Sequence, residues 1–274
     1  MLLVVVLTAI ILMFTLFKLK KVDVQLKTET NVLTEEIIEE IKEDTLKQGG
    51  SVLFVGKEKI IFNLEQKFPY LKIVNIETKI PNKFVIHCLE REEFFAIESQ
   101  GKTYYLDEEL KILRIKDGDF EKQENGAVLL KLEDLVEREN GKIENVYLDL
   151  NLQNANEGQF VKLSETNIQK IAVSILSGFE ANNRQLSTVR SLYNKFDVFY
   201  KAEVIDEEIL WHACLRLEDR SGYKIEIVDA NENLAEKIGV MFEAISSTKP
   251  QNLIGKTIVV YKNLNNQFVY SFNG

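Results

Sequence analysis

Residues 68–91 read FPYLKIVNIETKIPNKFVIHCLER, and this stretch decides the fold. Pro69 ends whatever helix precedes it. Val74, Ile76, Thr78 and Ile80 then alternate with Asn75, Glu77 and Lys79, the period-two pattern of a strand with one face buried. Pro81-Asn82-Lys83 supplies a turn. Phe84, Ile86 and Cys88 alternate with Val85, His87 and Leu89 on the returning strand. Working upstream, Lys57 to Phe68 carries Ile60, Ile61, Leu64 and Phe68 at helical spacing. An earlier helix opens at Asn31 or Thr34, with Glu35 and Glu36 in the first turn, where the helix dipole favours acids. Ile37, Ile38 and Ile41 give that helix a narrow apolar face. Ser51 to Val55 is short and hydrophobic, and Val22 to Leu26 alternates weakly as a first strand. The order β-α-(β)-α-β-β predicts a small α+β unit with helices on one sheet face.

Ahead of this unit, Met1 to Phe17 (MLLVVVLTAIILMFTLF) holds no charged residue. At about 1.5 Å per residue this helix would be roughly 25 Å long, slightly short of a hydrocarbon core of about 30 Å. Lys18, Lys20 and Lys21 follow, with stems long enough to snorkel to the interface. We read residues 1–21 as an uncleaved single-pass anchor, with Leu3, Val5, Ile10, Ile11, Phe14 and Phe17 facing lipid. A cleaved signal peptide would need a basic n-region and a small-residue cleavage site, and a buried core helix would show a polar face. Counting Lys and Arg alone would place the lysine side in the cytoplasm, against a reading that puts the body outside.

The 274 residues are 45% hydrophobic and 28% charged, which excludes disorder and allows one large domain or two modest ones. With 34 basic and 43 acidic side chains the formal charge is −9, unsuited to binding nucleic acid through clustered Lys and Arg. Two Cys exclude a disulfide-built scaffold.

In the second half, Asp117 to Gly126 reads as a loop, and Leu129 to Arg138 has no clear state. Ser164 caps a helix with Ile168, Ile171, Ala172, Ile175 and Leu176 on its apolar face, ending at Gly178. Leu186 to Tyr193 suggests a short helix and Phe196 to Ala202 a strand. Ile209 to Leu217 pairs through the turn Asp219-Arg220-Ser221-Gly222 with Tyr223 to Ile227. Asn233 is the expected N-cap of a helix striped by Leu234, Ile238, Met241, Phe242 and Ile245. Ile254 to Tyr261 and Gln267 to Phe272 are the last two strands. On the final one Phe268, Tyr270 and Phe272 share a face, with Val269 between them. An exposed edge there would recruit a partner strand through unpaired backbone groups; the alternative is ordinary core.

Phe68-Pro69, Ile76 and the run from Ile80 to Arg91 resemble the end of a POTRA domain and, more narrowly, the FtsQ and DivIB proteins of bacterial cell division. The shared order is a hydrophobic strand, a Pro-led turn, an alternating strand, a Glu-Arg pair (Glu90, Arg91) and an Ala soon after, here Ala96. Tyr104-Tyr105-Leu106-Asp107 with Leu110-Lys111-Ile112-Leu113 is similar to the family's next hairpin. This chain departs in having Glu93 where the family usually has Pro, and Glu108-Glu109-Leu110 where it has Gly. The resemblance spans roughly Val22 to Leu113. It implies an α+β protein: a transmembrane anchor over 1–21, a POTRA-like domain over 22–93 and an FtsQ/DivIB-type β domain with flanking helices over 94–274.

The resemblance further implies a non-enzymatic divisome scaffold at the septum, single-pass in the cytoplasmic membrane with its bulk outside. Its implied partners are bitopic coiled-coil proteins of the FtsB/DivIC and FtsL kind and septal peptidoglycan synthases, met by β-strand addition. No cofactor, metal, nucleic acid or small-molecule substrate is expected. Glu90 and Arg91 can brace a domain junction through charge-assisted hydrogen bonds, Arg offering a planar fork; the alternative is two solvated rim charges. His87 with Cys88 and His212 with Cys214 are too few for a zinc site and lack an orienting partner for nucleophilic chemistry, so the thiols read as small hydrophobes. A membrane-anchored cell-wall enzyme and an adhesion module stand as alternatives from other classes.

Overall fold

The computed structural model describes residues 15–27, 32–121, 126–139, 141–147, 152–161, 167–205 and 207–273. The chain divides into two compact units, the first comprising residues 1–92 with 156–159 and the second 93–155 with 160–274.

Unit 1 runs β1 (Lys21–Leu26), α1 (Glu35–Gln48), α2 (Lys57–Lys67), β2 (Leu71–Lys79) and β3 (Lys83–Glu90). Its sheet has the order β1-β3-β2, with β3 parallel to β1 and antiparallel to β2. Of the two candidate starts, Asn31 lies outside the described residues and Thr34 caps α1, its hydroxyl accepting the Ile37 N–H at 3.5 Å. Ile41 of α1 and Ile60 and Leu64 of α2 pack with Phe84, Ile86 and Cys88 of β3 in one apolar cluster. The Ile80–Pro81 peptide is cis.

Three expectations for this unit are corrected. Ser51 to Val55 is not a strand: Ser51 makes one isolated bridge to Lys18, and the N–H groups of Phe54 and Val55 both donate to the Ser51 carbonyl at 3.0 Å. In β2 a bulge between Ile73 and Asn75 shifts the phase of alternation. Ile73 and Ile76 therefore face inward, while Val74 is 51% and Ile80 69% exposed. The folded unit also begins before residue 22. Leu19 is 5% exposed in the core and Phe17, assigned above to lipid, packs against that core. Leu3, Val5, Ile10, Ile11 and Phe14 lie outside the described residues. Among the described residues no helix is long and apolar enough to cross a membrane.

Unit 2 contains β4 (Phe95–Ser99), β5 (Lys102–Leu106), β6 (Ile112–Asp117), β7 (Val128–Glu137), β8 (Ile143–Tyr147), α3 (Asn167–Ala181), α4 (Leu186–Leu192), β9 (Tyr193–Ile205), β10 (Glu208–Asp219), β11 (Lys224–Ile227), α5 (Leu234–Ser247), β12 (Thr257–Lys262) and β13 (Phe268–Asn273). The strands form one sheet in the order β13-β12-β11-β10-β9-β7-β4-β5-β6, with β8 paired to β7. The stretch from Leu129, left unassigned from sequence, is the central strand β7. Its Val128, Leu130 and Leu132 are buried in alternation, between parallel neighbours β4 and β9.

Because β11 and β12 are parallel, α5 is the crossover between them. It lies with α3 against one sheet face, sharing a core with Phe196, Val198, Leu215, Ile225, Ile258 and Val260. Asn233, the expected side-chain cap of α5, instead adopts a left-handed φ of 51° and makes no side-chain cap bond. Gly178 does not end α3, which continues to Ala181. It sits where the two helices touch: a Cβ there would lie 2.7 Å from Ile238 Cδ1. Asn182 locks the crossing, its amide donating to the carbonyls of Gly178 (2.9 Å) and Ala235 (2.7 Å). Asp107 shapes the turn through Glu108-Glu109-Leu110. Its carboxylate accepts the N–H groups of Glu109 (2.9 Å) and Lys111 (2.8 Å), while Leu110 takes a left-handed φ of 61°.

Gly178→Ala is expected to lower thermal stability by about 1–3 kcal/mol through overpacking. Ile238→Val removes the clashing Cδ1, so the double variant should lose less than the two single changes summed, measured as a double-mutant cycle in urea.

Candidate protein-docking edge

The sheet of unit 2 ends on β6 at one side and β13 at the other. Charges blunt β6, which carries Arg114, Lys116 and Asp117. Strand β13, FVYSFN, carries none. Its register on β12 sets Phe272 beside Ile258, Tyr270 beside Val260 and Phe268 beside Lys262. Ile258 and Val260 face the helices, so all three aromatics lie on the α5 side. Tyr270 packs on the core, with its hydroxyl 3.2 Å from Ser247 Oγ and its ring 5.6 Å from that of Phe272, edge to face. Lys237 of α5, 2% exposed, donates to the carbonyls of Val228 (2.9 Å) and Asp229 (2.7 Å). Its ammonium also sits 5.4 Å from the Phe268 ring centroid. The aromatics are thus half core and half rim: Phe272 is 40% exposed.

The backbone of the edge follows from pairing parity. The Asn263 N–H donates to the Gln267 carbonyl at 2.9 Å, and on β12 the Val260 carbonyl is taken by the Val228 N–H of the β11 side at 2.9 Å. Antiparallel alternation then directs the groups of Val269 and Ser271 toward β12, and those of Phe268, Tyr270 and Phe272 outward. Phe268 and Tyr270 tie β13 to α5 by their rings and hydroxyl, Phe272 packs on Tyr270, and all three offer the open ladder by their amides.

Glu90 and Arg91 end β3 and act inside unit 1. The Glu90 carboxylate accepts the N–H groups of Val32 (3.0 Å) and Leu33 (2.8 Å), just ahead of α1. Arg91 is buried; its Nε donates to the Leu71 carbonyl at 3.2 Å and its Nη2 to Glu65 of α2 at 3.1 Å. The other Glu65 oxygen accepts the Ile73 N–H at 2.7 Å, at the start of the bulge. A terminal Glu-Arg pair thus ties α2 and the approach to α1 to a three-stranded sheet of order β1-β3-β2.

Residues 17–91 match the family description "POTRA domain, FtsQ-type". These residues are an FtsQ-type POTRA domain. The resemblance to the FtsQ/DivIB family drawn from residues 68–113 is borne out by two relatives, both named cell division protein DivIB. That of Clostridium acetobutylicum is 34% identical over 112 residues, 41% of each chain. That of Clostridium tetani is 29% identical over 94 residues, 34% of each chain. The matched part thus spans about two-fifths and about a third of these relatives.

Beyond the POTRA domain, Glu93 ties two arginines. Its carboxylate holds Arg114 with two bonds of 2.8 and 3.0 Å, and its carbonyl accepts from Arg190 at 2.9 Å. Arg114 in turn stacks 3.9 Å from the Tyr105 ring centroid. Cys88 and Cys214 are free and buried. Burial pushes the Cys88 thiol up to about 11 and the Cys214 thiol up to about 12, away from nucleophilic thiolate. Cys214 Sγ donates to the His212 carbonyl, and the His212 ring faces Asp229 (2.9 Å) and Glu203 (3.1 Å) with opposite nitrogens. Among the described residues no three His, Cys, Asp or Glu side chains converge to hold a metal.

Arg91→Ala would leave Glu65 without its buried guanidinium and is expected to cost about 3 kcal/mol or more in POTRA stability. Arg91→Lys restores the charge but not the fork, so the thermal midpoint should recover only in part. On the sheet face away from the helices, burial works against ionised Glu226, but Lys201 and Arg216 (3.0 Å) outweigh it and hold its carboxyl below the ordinary 4.5. That stabilisation is complete above pH 4.5 and is lost as pH falls through the lowered native value. Acid unfolding curves of Glu226→Gln should therefore be flatter across this window than those of the parent.

Proposed function

We propose that this chain is a non-enzymatic scaffold of the cell-division machinery. The uncharged run that opens residues 1–21, up to Phe17 where the folded unit begins, anchors it in the cytoplasmic membrane, and its two folded units stand outside at the division septum. Its partners are bitopic division proteins of the FtsB/DivIC and FtsL kind, and through them the septal wall synthases. The single observation carrying the binding mode is β13: an uncharged terminal strand whose outward amides belong to Phe268, Tyr270 and Phe272, stiffened from behind by α5. A partner strand laid along it would gain ladder hydrogen bonds and meet aromatic rings at alternate positions. The relationship to proteins named DivIB supplies the process, and the buried, proton-retaining thiols argue against cysteine-based nucleophilic catalysis. Glu90 and Arg91 serve this reading as the brace that fixes the end of the POTRA domain.

Proline at Phe272 removes an outward N–H without breaking a β12–β13 bond, whereas proline at Val269 would break the hairpin itself. Phe272→Pro is expected to weaken capture of the cell's own DivIC-like and FtsL-like proteins by at least about tenfold, with Phe272→Ala much closer to the parent. In the native cell, depletion should give filaments that the parent rescues and Phe272→Pro does not. Equal capture by the parent and the proline variant, or normal septa on depletion, rejects the reading.

A further inference from the structure

The chain leaving the apolar run is stitched to the POTRA domain on two sides. On one, the Phe17 carbonyl accepts the Val52 N–H at 2.7 Å and the Leu19 N–H donates to the Gly50 carbonyl at 2.9 Å. On the other, the N–H groups of Lys20 and Lys21 donate to the Asn82 carbonyl at 2.9 and 3.2 Å. Two turns, 51–55 and 80–82, are thereby held beside residues 17–21 at one end of the three-stranded sheet.

Both turns hold large apolar side chains outward. Leu53 is 42%, Phe54 65% and Ile80 69% exposed, while Val52 between them is buried at 3%. Surface turns that only connect elements are rich in Gly, Asn, Asp and Ser. Clustered exposed apolar groups mark a contact surface. Lys18, Lys20 and Lys21 are exposed at the same end, and no carboxylate of the described residues pairs with them. The two other lysines there differ: Lys83 pairs with Asp23 at 3.3 Å and Lys79 with Glu77.

We propose that this end of the POTRA domain is a lipid-contact surface. Leu53, Phe54 and Ile80 seat at the boundary between headgroups and acyl chains of an anionic bilayer, and Lys18, Lys20 and Lys21 bind its phosphates. Charge and apolarity both select a bilayer: the tips are apolar, the surround is cationic, and the uncharged run of residues 1–17 leads straight into them. The proposal rests on reading that run as an anchor. It gives the three lysines a task on the body side of the membrane, so they need not report orientation.

The test uses the full chain in vesicles of phosphatidylcholine and phosphatidylglycerol whose acyl chains carry bromine. Tryptophan is placed by Phe54→Trp, Ile80→Trp or Val32→Trp, and the Trp211 signal of the parent is subtracted. Val32 is 38% exposed and hydrogen-bonded to Glu90 at the far end of β3, roughly 23 Å away at strand rise. Quenching at positions 54 and 80 is expected to exceed that at 32 at least twofold, and to fall when phosphatidylglycerol is omitted. Vesicles that retain the chain after a carbonate wash but quench all three positions equally overturn the lipid-contact surface alone. Quenching indifferent to headgroup charge overturns the role given to the lysines. A chain washed off the vesicles overturns the anchor reading and this inference with it.

Discussion

Two neighbouring charges at the end of β3 hold both helices of the POTRA domain to its sheet. Glu90 reaches back to the N–H groups of Val32 and Leu33 and fixes the approach to α1. Arg91 reaches across to Glu65 and fixes α2, and Glu65 spends its second oxygen on the Ile73 amide. Arg91 is nearly dry, and the Glu65 carboxylate and the Leu71 carbonyl both meet its guanidinium, which offsets the cost of burying the charge. The helices contribute the apolar cluster, but this chain of charge-assisted bonds sets where on the sheet they lie.

That chain of bonds also explains which parts of the fold were legible in the sequence. The helices around Ile41 and Leu64 were, because their apolar residues recur at helical spacing and Thr34 and Pro69 mark their ends. Strand β3 was, because Phe84, Ile86 and Cys88 recur at every second position toward one core. Strand β2 was read in the wrong phase at Val74 and Ile80, since a bulge is set by the partner strand and by Glu65, and neither leaves a local sign. Gly178 was read as a stop because glycine commonly follows helices; here it is a point of close approach to Ile238, visible only once α5 is in place. Strand β7 is not legible because Asp134 interrupts the row of Val128, Leu130 and Leu132 while Leu129 and Leu135 put apolar groups on the other face, and its burial comes from two parallel neighbours far away in sequence.

The candidate site divides in the same way. That Phe268, Tyr270 and Phe272 share one face of the last strand is legible in the sequence, which leaves open whether the strand is an edge or ordinary core. Which face meets α5, and which amides point outward, followed only from the register on β12 and the parallel pairing of β12 with β11. Glu90 and Arg91 were expected as a junction brace and are found in use within the POTRA domain, where the decisive partner, Glu65, lies 26 residues away in sequence.

The bulge in β2 has a consequence for how copies of the chain behave when crowded. β2 borders its sheet, and a flat bordering strand invites a neighbouring molecule to stack on it. The extra residue bends the ribbon and breaks the even spacing of its outer amides, while Lys72, Glu77 and Lys79 add charge along it. Templated stacking of one POTRA domain on another through this border is therefore disfavoured, and the molecules can gather densely without polymerising along it.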